Sequence, residues 1–171
     1  MRKTYGDTRL FHNTLRIGKG GKPFALTKIR TMGIGAHEEY AAVIGSTTLI
    51  RPLKDDMRIT KFGRFLRITH IDEIPQIINV LKGQMAPVGL RPLHKSQYNS
   101  LPADIKGMYN EIGPGLLGIA YACKRFPPSN NELFGEYKNF YKIWKKNRAR
   151  AYVTYALRIL ANRVKGVSWS G

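Results

Sequence analysis

Apolar and polar residues alternate in two short runs near the start of the chain. The runs are RLFHNTLRI and PFALTKIRTM, and they flank the glycine-rich segment GKGGK. Alternation of this kind predicts half-buried β-strands. A tight turn between two strands needs positive φ angles, which Gly18, Gly20 and Gly21 can supply. We therefore predict a β-hairpin over residues 9–31.

A helical pattern follows further along the chain, over Asp72–Lys82, where the sequence reads DEIPQIINVLK. We expect a helix of about three turns, because apolar residues recur at helical spacing: Ile74, Ile77, Ile78 and Leu81. Pro75 fits only the first turn, where its missing N–H costs no hydrogen bond. This predicts an N-cap at or just before Asp72 and a C-cap at Gly83.

The remaining segments are predicted more coarsely. Residues 33–56 are weakly periodic, with HEEYAAVI favouring a short helix and IRPLKDD a turn. The segments APVGLRPLH and EIGPGLLGIAY, rich in proline and glycine, are predicted to be loops. The tail over Leu133–Lys165 is predicted to form one or two long basic helices.

One face of that tail is aromatic, at spacings i, i+3, i+4 and i+7; it comprises Tyr137, Phe140, Tyr141 and Trp144. We interpret this face as core packing rather than a lipid-facing surface. The neighbouring basic segment KIWKKNRAR nevertheless also fits an interfacial helix with its positive charge towards lipid headgroups.

Composition and charge narrow the class of protein. The 171 residues suit one domain, and their hydrophobic content of 43% excludes a disordered basic tail. The single cysteine, Cys123, excludes a disulfide framework and is expected to be a small buried residue. The 29 Lys and Arg residues against 11 Asp and Glu give a net charge of +18, which predicts an anionic partner.

The location also follows from the apolar pattern. No stretch approaches the roughly 20 apolar residues that span a bilayer, and no apolar segment follows the charged start as in a signal peptide. We expect a cytoplasmic protein whose lysines and arginines can hold it against an anionic membrane surface.

The candidate chemistry lies in two adjacent carboxylates, Asp72 and Glu73. They follow a basic stretch and lie at a predicted helix N-terminus, where backbone N–H groups stabilise negative charge; the basic residues are Arg58, Lys61, Arg64 and Arg67. One interpretation is that Asp72 is an N-cap and Glu73 a partner of the helix dipole. The other is that Asp72 is kept ionised and acts as a nucleophile.

Adjacency limits what such a pair can do. Neighbouring side chains on a helix diverge by about 100°, so the two cannot flank one bond as a glycosidase pair does. They can divide the work of phosphoryl transfer, one attacking phosphorus and the other holding Mg²⁺. His70, two residues before Asp72, is a candidate for hydrogen bonding around the pair. The four histidines, His12, His37, His70 and His94, show no metal-ligand spacing.

The segment around the pair, RITKFGRFLRITHIDEIPQIINVLKGQMAPVGLRPL, resembles the signature of the bacterial sugar transferases. These are monotopic phosphoglycosyl transferases that begin glycan assembly on a polyprenyl phosphate carrier. Two further segments, RIGKGGKPFALTKIRTM and IGPGLLGIAY, resemble the family's glycine turn with its basic strand and its Pro–Gly loop. The resemblance covers roughly residues 10–125, in the family's order.

The resemblance implies a ping-pong transfer of a sugar phosphate from a nucleotide sugar, usually a UDP-sugar, to polyprenyl phosphate. It implies Asp72 as nucleophile and Glu73 as the ligand of Mg²⁺. It also implies five phosphate-binding side chains, which are Lys28, Arg30, Arg64, Arg67 and Arg91. The partners it implies are the nucleotide-sugar donor, the lipid acceptor and the inner face of the cell membrane.

The chain departs from the family pattern at several points. The family's re-entrant membrane helix is not recognisable ahead of the hairpin, so either the sequence is truncated or the protein docks peripherally. Leu90 stands for a proline of the Arg–Pro loop, and Leu117 for a hydroxyl residue of the Pro–Gly loop. Ala151 aligns with an acidic residue that the family often has.

Two other classes remain open. A catalytically impaired paralogue that binds nucleotide sugar or membrane is compatible with Leu90 and Ala151. Nucleic-acid binding is compatible with the net charge but is disfavoured, because the basic residues are spread along the chain and no nucleic-acid motif is present. We expect a single α+β domain over residues 1–171, with a small β-hairpin, a catalytic helix and a basic helical C-terminal region.

Overall fold

A computed structural model describes residues 10–33, 59–124 and 128–165. The helix predicted from HEEYAAVI, the turn predicted from IRPLKDD, and Arg58 lie outside these residues. The fold mixes α-helices with two small sheets, which confirms the predicted α+β class. Its strands are β1 Phe11–Ile17, β2 Pro23–Ile29, β3 Ala86–Gly89 and β4 Gly115–Gly118. Its helices are α1 Lys61–Thr69, α2 Ile77–Leu81, α3 Lys95–Asn99, α4 Ala103–Ile112, α5 Asn130–Lys146 and α6 Arg148–Val164, with short 3₁₀ helices at Lys19–Gly21, Ile71–Gln76 and Ile119–Ala122.

The predicted hairpin is confirmed. Strands β1 and β2 pair antiparallel from Phe11 opposite Ile29 to Ile17 opposite Pro23. Gly20 and Gly21 have the expected positive φ angles of 70° and 72°. The prediction for Gly18 is wrong, because its φ is −103°. Glycine is needed there for space, since a Cβ would lie 2.9 Å from the Gln84 carbonyl oxygen.

We predicted that the two Pro/Gly segments form loops. In the structure they also contribute strands β3 and β4, which pair in parallel. The strands approach so closely that a Cβ on Gly115 would overlap the backbone nitrogen of Gly89. Glycine is common both in turns and where two backbones come close together. The glycine content of these segments therefore did not predict the strand pair.

Helix α1 was not anticipated from the sequence. It begins after Thr60, whose side-chain oxygen accepts a hydrogen bond from the Gly63 amide at 2.9 Å. It packs across the end of the hairpin at Gly63, where a Cβ would overlap the backbone of Thr31. The helix ends at His70, which adopts the left-handed conformation with a φ of 57°.

The predicted helix over Asp72–Lys82 is divided in two. A 3₁₀ helix runs over Ile71–Gln76, and α2 begins only at Ile77. Pro75 lies inside the 3₁₀ helix, and the α-helix begins only after it. The four apolar residues that suggested the helix are all exposed. The predicted end is confirmed, since Gly83 has a positive φ of 69°.

The core lies between the sheet β3–β4 and helices α4, α5 and α6. The tail forms two long helices, and the aromatic face that we interpreted as core packing is buried at Tyr137, Phe140 and Trp144. Cys123 is buried, as predicted. Tyr109 joins the hairpin to this core, because its hydroxyl donates to the Ile17 carbonyl at 2.7 Å. Within the described ranges, no helix is both long enough and apolar enough to cross a membrane.

The contact between α1 and Thr31 predicts opposite effects for two helical glycines. Gly63→Ala is expected to destabilise the protein by about 1–3 kcal/mol, because the new methyl group must displace backbone. Gly135→Ala in α5, where nothing lies within 4 Å of the new Cβ, is expected to stabilise it by about 0.5–1 kcal/mol. Urea unfolding of both variants measures the difference. A Gly63→Ala variant as stable as Gly135→Ala would contradict the docking of α1 on the hairpin.

Candidate active site

The acidic pair lies where the 3₁₀ helix Ile71–Gln76 packs against strand β2. Lys28 of β2 donates from Nζ to Oε1 of Glu73 at 2.5 Å. The other carboxylate oxygen of Glu73, Oε2, lies 3.8 Å from Nδ1 of His70. Glu73 therefore has a cationic partner on one side and an imidazole on the other.

Helix α1 fixes the position of the acidic pair relative to the hairpin. Arg67 in its last turn donates from Nε to the Thr31 hydroxyl at 2.9 Å, which ties the helix to the end of β2. The left-handed turn at His70 then redirects the chain, and the Glu73 amide donates to the His70 carbonyl at 3.1 Å. A helix end and a tight turn thus bring both carboxylates against the hairpin.

The two carboxyl groups have opposite pKa shifts. Burial leaves Asp72 only 5% exposed and raises its pKa above the ordinary value, although the charge of Lys28 works against this. Burial also disfavours ionised Glu73, but the charge of Lys28 and hydrogen bonds from His70 and Lys28 outweigh it and lower the pKa of Glu73 to about 2. Environments that separate two pKa values in this way are typical of a pair with divided roles.

The predicted N-cap role of Asp72 is wrong. Asp72 lies inside the 3₁₀ helix, and the residue that precedes this helix is His70, with no side-chain capping hydrogen bond. The carboxylate is thus not consumed in capping its own helix. The nucleophile interpretation of Asp72 stays a prediction.

The five predicted phosphate-binding residues are placed differently from one another. Lys28 and Arg67 lie at the pair, and the positive charge of each lowers the pKa of Asp72. The charge of Arg91 acts on Tyr121, a residue whose pKa also responds to Glu73 and Asp72. Arg64 is exposed on α1, and Arg30 follows β2, where its amide donates to the Leu10 carbonyl. These last two are not among the charges that act most strongly on the pair.

Sequence reasoning missed two residues beside the pair. The ring of Tyr121 stands edge-on to His70, with 6.2 Å between the ring centroids. Arg163 of α6 donates from Nη2 to the Ile68 carbonyl at 2.7 Å, across 95 positions of sequence. Both residues line a cleft of about 190 Å³ that also contacts Glu73. No local pattern could have identified them, because Tyr121 lies in the 3₁₀ helix Ile119–Ala122 and Arg163 at the end of α6, both far from the pair in sequence.

The departures from the family pattern fall in two environments. Leu90 and Ala151 are completely buried in the core, and Leu90 continues the parallel ladder opposite Pro114. Leu117 instead lines the cleft beside Glu73. Leu90 and Ala151 are therefore core residues, and Leu117 is the departure that lies at the site.

The oxygen donors of the pair suit a hard divalent cation. Mg²⁺ is usually held by one or two carboxylates together with water and substrate phosphates. Over the described part of the chain, no group of three or more His, Cys, Asp and Glu side chains forms a cage for a metal ion. Glu73 supplies a carboxylate of the kind that this sparser arrangement uses, and Mg²⁺ binding by Glu73 stays a prediction.

A family model described as bacterial sugar transferase matches residues 2–160 of the chain. A Bacillus subtilis (strain 168) protein, provisionally named an undecaprenyl-phosphate N-acetylgalactosaminyl 1-phosphate transferase, is 40% identical over 106 residues, which are 62% of this chain and 55% of that protein. A UDP-glucose:undecaprenyl-phosphate glucose-1-phosphate transferase of Klebsiella pneumoniae is 37% identical over 123 residues, 69% of this chain and 24% of that protein.

A galactosyl transferase of Streptococcus agalactiae serotype III is 38% identical over 155 residues, which are 84% of this chain and 33% of that protein. The chain thus spans about half the length of the first of these relatives and a quarter to a third of the other two.

The low pKa of Glu73 predicts a specific dependence of stability on pH. A carboxyl group whose pKa is lower in the folded protein stabilises the fold above its unfolded pKa, and this contribution is lost as the pH falls towards the folded value. The stability difference between the wild type and Glu73→Gln should therefore narrow by about 2 kcal/mol between pH 6 and pH 3. Urea unfolding at each pH measures it.

Glu111→Gln is the control, because Glu111 is exposed and pairs with Lys145 at the surface. Surface ion pairs contribute little to stability, so its difference from the wild type should change far less over the same pH range. A constant stability difference for Glu73→Gln would contradict the contribution of the Lys28–Glu73 ion pair.

Proposed function

The chain belongs to the bacterial sugar transferase family, and from this membership we propose that it transfers a sugar phosphate from a nucleotide sugar to a polyprenyl phosphate. The names of relatives support the two substrates, because one of them is named for UDP-glucose and undecaprenyl phosphate. We propose a UDP-sugar as the donor. The product would be a lipid-linked sugar diphosphate that begins a polysaccharide or glycoconjugate.

The observation that carries this proposal is the placement of the adjacent carboxylates of Asp72 and Glu73 against Lys28 of β2 and beside Arg67. There, burial raises the pKa of Asp72 while the charge of Lys28 lowers that of Glu73. A carboxylate with a raised pKa is a stronger base and nucleophile once ionised, whereas one with a low pKa stays ionised and suits electrostatic or ligand duties. We therefore assign attack to Asp72 and cation binding to Glu73.

The reaction proceeds in two displacements. A carboxylate oxygen of Asp72 forms a bond to the phosphorus that carries the sugar, and the bond from that phosphorus to the bridging oxygen breaks. The nucleoside monophosphate leaves with the electron pair. An oxygen of the polyprenyl phosphate then attacks the same phosphorus, and the bond to Asp72 breaks to restore the carboxylate.

Positive charge is needed because both reactants are anions. Two unit charges 4 Å apart repel by about 4 kcal/mol at an effective dielectric constant of 20. Lys28 and Arg67 already act on Asp72 electrostatically, and Arg91 acts on the neighbouring Tyr121. Mg²⁺ held by Glu73 would supply further positive charge to the diphosphate of the donor.

The burial of Asp72 suits a covalent intermediate. A carboxyl phosphate is open to hydrolysis, and a side chain that is 5% exposed offers water little access. The donor, and after it the acceptor, would reach the Asp72 carboxylate in place of bulk water.

We also propose that the protein works on the cytoplasmic face of an anionic membrane. Helix α1 exposes Phe62, Phe65 and Ile68, and α6 exposes an apolar stripe at helical spacing: Val153, Leu157, Leu160 and Val164. The two helices are adjacent, because Arg163 bonds to the Ile68 carbonyl. Exposed apolar side chains flanked by lysines and arginines are typical of surfaces that bind the membrane interface.

Replacing Asp72 tests the chemistry. With a UDP-sugar labelled in its sugar phosphate, the wild type should acquire a label on Asp72 that hydroxylamine removes. Asp72→Asn should lower nucleoside monophosphate release at least about a thousandfold, because an amide oxygen is a poor nucleophile. Glu73→Gln should raise the Mg²⁺ requirement about tenfold or more, or abolish turnover.

Asp104→Asn is the matched control, since Asp104 is an exposed carboxylate paired with Lys138, and it should react like the wild type. Unchanged release by Asp72→Asn would exclude Asp72 as nucleophile. Binding of nucleotide sugar by the wild type without release of nucleoside monophosphate would favour an impaired paralogue instead.

The apolar side chains of α1 test membrane attachment. The double variant Phe62→Gln, Phe65→Gln should bind anionic vesicles about tenfold more weakly, because it loses apolar surface that would enter the interface. Cosedimentation with vesicles measures the change, and Leu15→Gln, at an exposed leucine of β1, is the control. Equal binding by the double variant and the control would contradict a role for α1 in attachment.

A further inference from the structure

The cleft beside the acidic pair is lined mainly by residues that have no role in the proposed chemistry. It lies between the segment His70–Ile77, the segment around β4, and helix α6, and has a volume of about 190 Å³. Its lining consists of His70, Glu73, Ile74, Ile77, Leu116, Leu117, Tyr121, Ile159, Leu160 and Arg163. Glu73 connects the cleft directly to the reaction site.

Most of this lining is aliphatic. Six of the ten residues are leucine or isoleucine, and several of them keep large exposed fractions, such as Ile74 at 54% and Leu160 at 53%. A groove that presents aliphatic side chains to the outside gains free energy when an apolar chain covers it. The cationic and imidazole groups, Arg163 and His70, belong to the same lining as Glu73.

The polar parts of a nucleotide sugar fit this cleft poorly. A base, a ribose and a sugar need hydrogen-bond partners when they leave water, and the aliphatic side chains offer none. An apolar chain with an anionic end fits both features, because the aliphatic lining covers the chain and the Arg163 guanidinium complements the charge. Lys28, paired with Glu73, offsets the repulsion that this carboxylate would exert on the anion.

We propose that this cleft binds the first isoprene units of the polyprenyl phosphate acceptor, with Arg163 at its phosphate end. This inference rests on the proposed function and adds the place from which the acceptor reaches Asp72. The volume is below the roughly 300 Å³ of a pocket for a whole drug-sized ligand. The cleft therefore holds only the part of the long chain next to the phosphate, and the rest of the chain extends out of the cleft.

The separate half-reactions allow a sharp test with two neighbouring leucines of α6. Leu160 lines the cleft, whereas Leu157, one turn earlier and 60% exposed, does not. Leu160→Gln should leave acceptor-independent release of nucleoside monophosphate within about twofold of wild type and raise the KM for polyprenyl phosphate in detergent about tenfold. Leu157→Gln should change neither value in detergent.

Chain length provides a readout that a merely structural defect would not produce. The wild type should prefer isoprenoid phosphates of three units over those of one unit, and Leu160→Gln should lose most of this preference. Arg163→Gln should raise the KM for both chain lengths by the same factor, about tenfold, because it removes a charge-assisted contact to the phosphate. An unchanged length preference in Leu160→Gln would overturn the proposal.

Direct labelling separates failure of this proposal from failure of the proposed function. A photoreactive farnesyl phosphate is incubated with the full chain and no donor, and the labelled peptides are sequenced. Labelling of peptides containing Leu116–Tyr121 or Ile159–Arg163, competed by undecaprenyl phosphate but not by phosphatidylglycerol, would support the cleft as the acceptor site even if no transfer were detected.

Labelling confined to other segments, or competed equally by phosphatidylglycerol, would overturn the assignment even in an active enzyme. Equal labelling of the wild type and Leu160→Gln would overturn it as well.

Discussion

The ion pair between Lys28 and Glu73 is the contact on which the site depends. It joins strand β2 to the 3₁₀ helix that carries the acidic pair, across 45 positions of sequence. Removal of either side chain would leave the other charge without its partner. Because both groups are partly shielded from water, that unpaired charge would destabilise the fold. The same contact lowers the pKa of Glu73 while burial raises that of Asp72, which makes two neighbouring carboxylates chemically unlike.

Helix α1 sets the position of that ion pair. Its capping residue Thr60, its close contact at Gly63 and the bond from Arg67 to Thr31 all fix it against the end of the hairpin. The left-handed turn at His70 then presents Asp72 and Glu73 to β2. The backbone contact at Gly63, the turn at His70 and the hydrogen bond from Arg67 to Thr31 thus determine where the proposed nucleophile lies. Phosphoryl transfer requires preorganisation of this kind.

Local patterns predicted the parts of the fold that local forces decide. Strand alternation identified the hairpin, and aromatic spacing identified the buried face of the tail. The 3₁₀ helix was missed because an apolar spacing of three to four residues is compatible with both a 3₁₀ helix and an α-helix. The parallel strands were missed because glycine occurs both in turns and where two backbones come close together. At the site, the contrast between two adjacent carboxylates and their basic neighbours identified the acidic pair, and the family resemblance supplied its predicted roles. Of the predicted phosphate-binding residues, Lys28 and Arg67 lie beside the pair. Tyr121 and Arg163 reach the site only through tertiary packing, which no local signal records.

In the proposed mechanism, the carboxylate of Asp72 carries the sugar phosphate from the donor to the acceptor. The most direct measurement is isotope exchange in the absence of any lipid acceptor, with Mg²⁺, unlabelled UDP-sugar and labelled UMP. A covalent intermediate predicts that label enters the UDP-sugar, because the leaving nucleotide can return and reverse the first displacement. Transfer to polyprenyl phosphate by a protein that shows no such exchange would contradict the account, since it would mean that donor and acceptor react in one step.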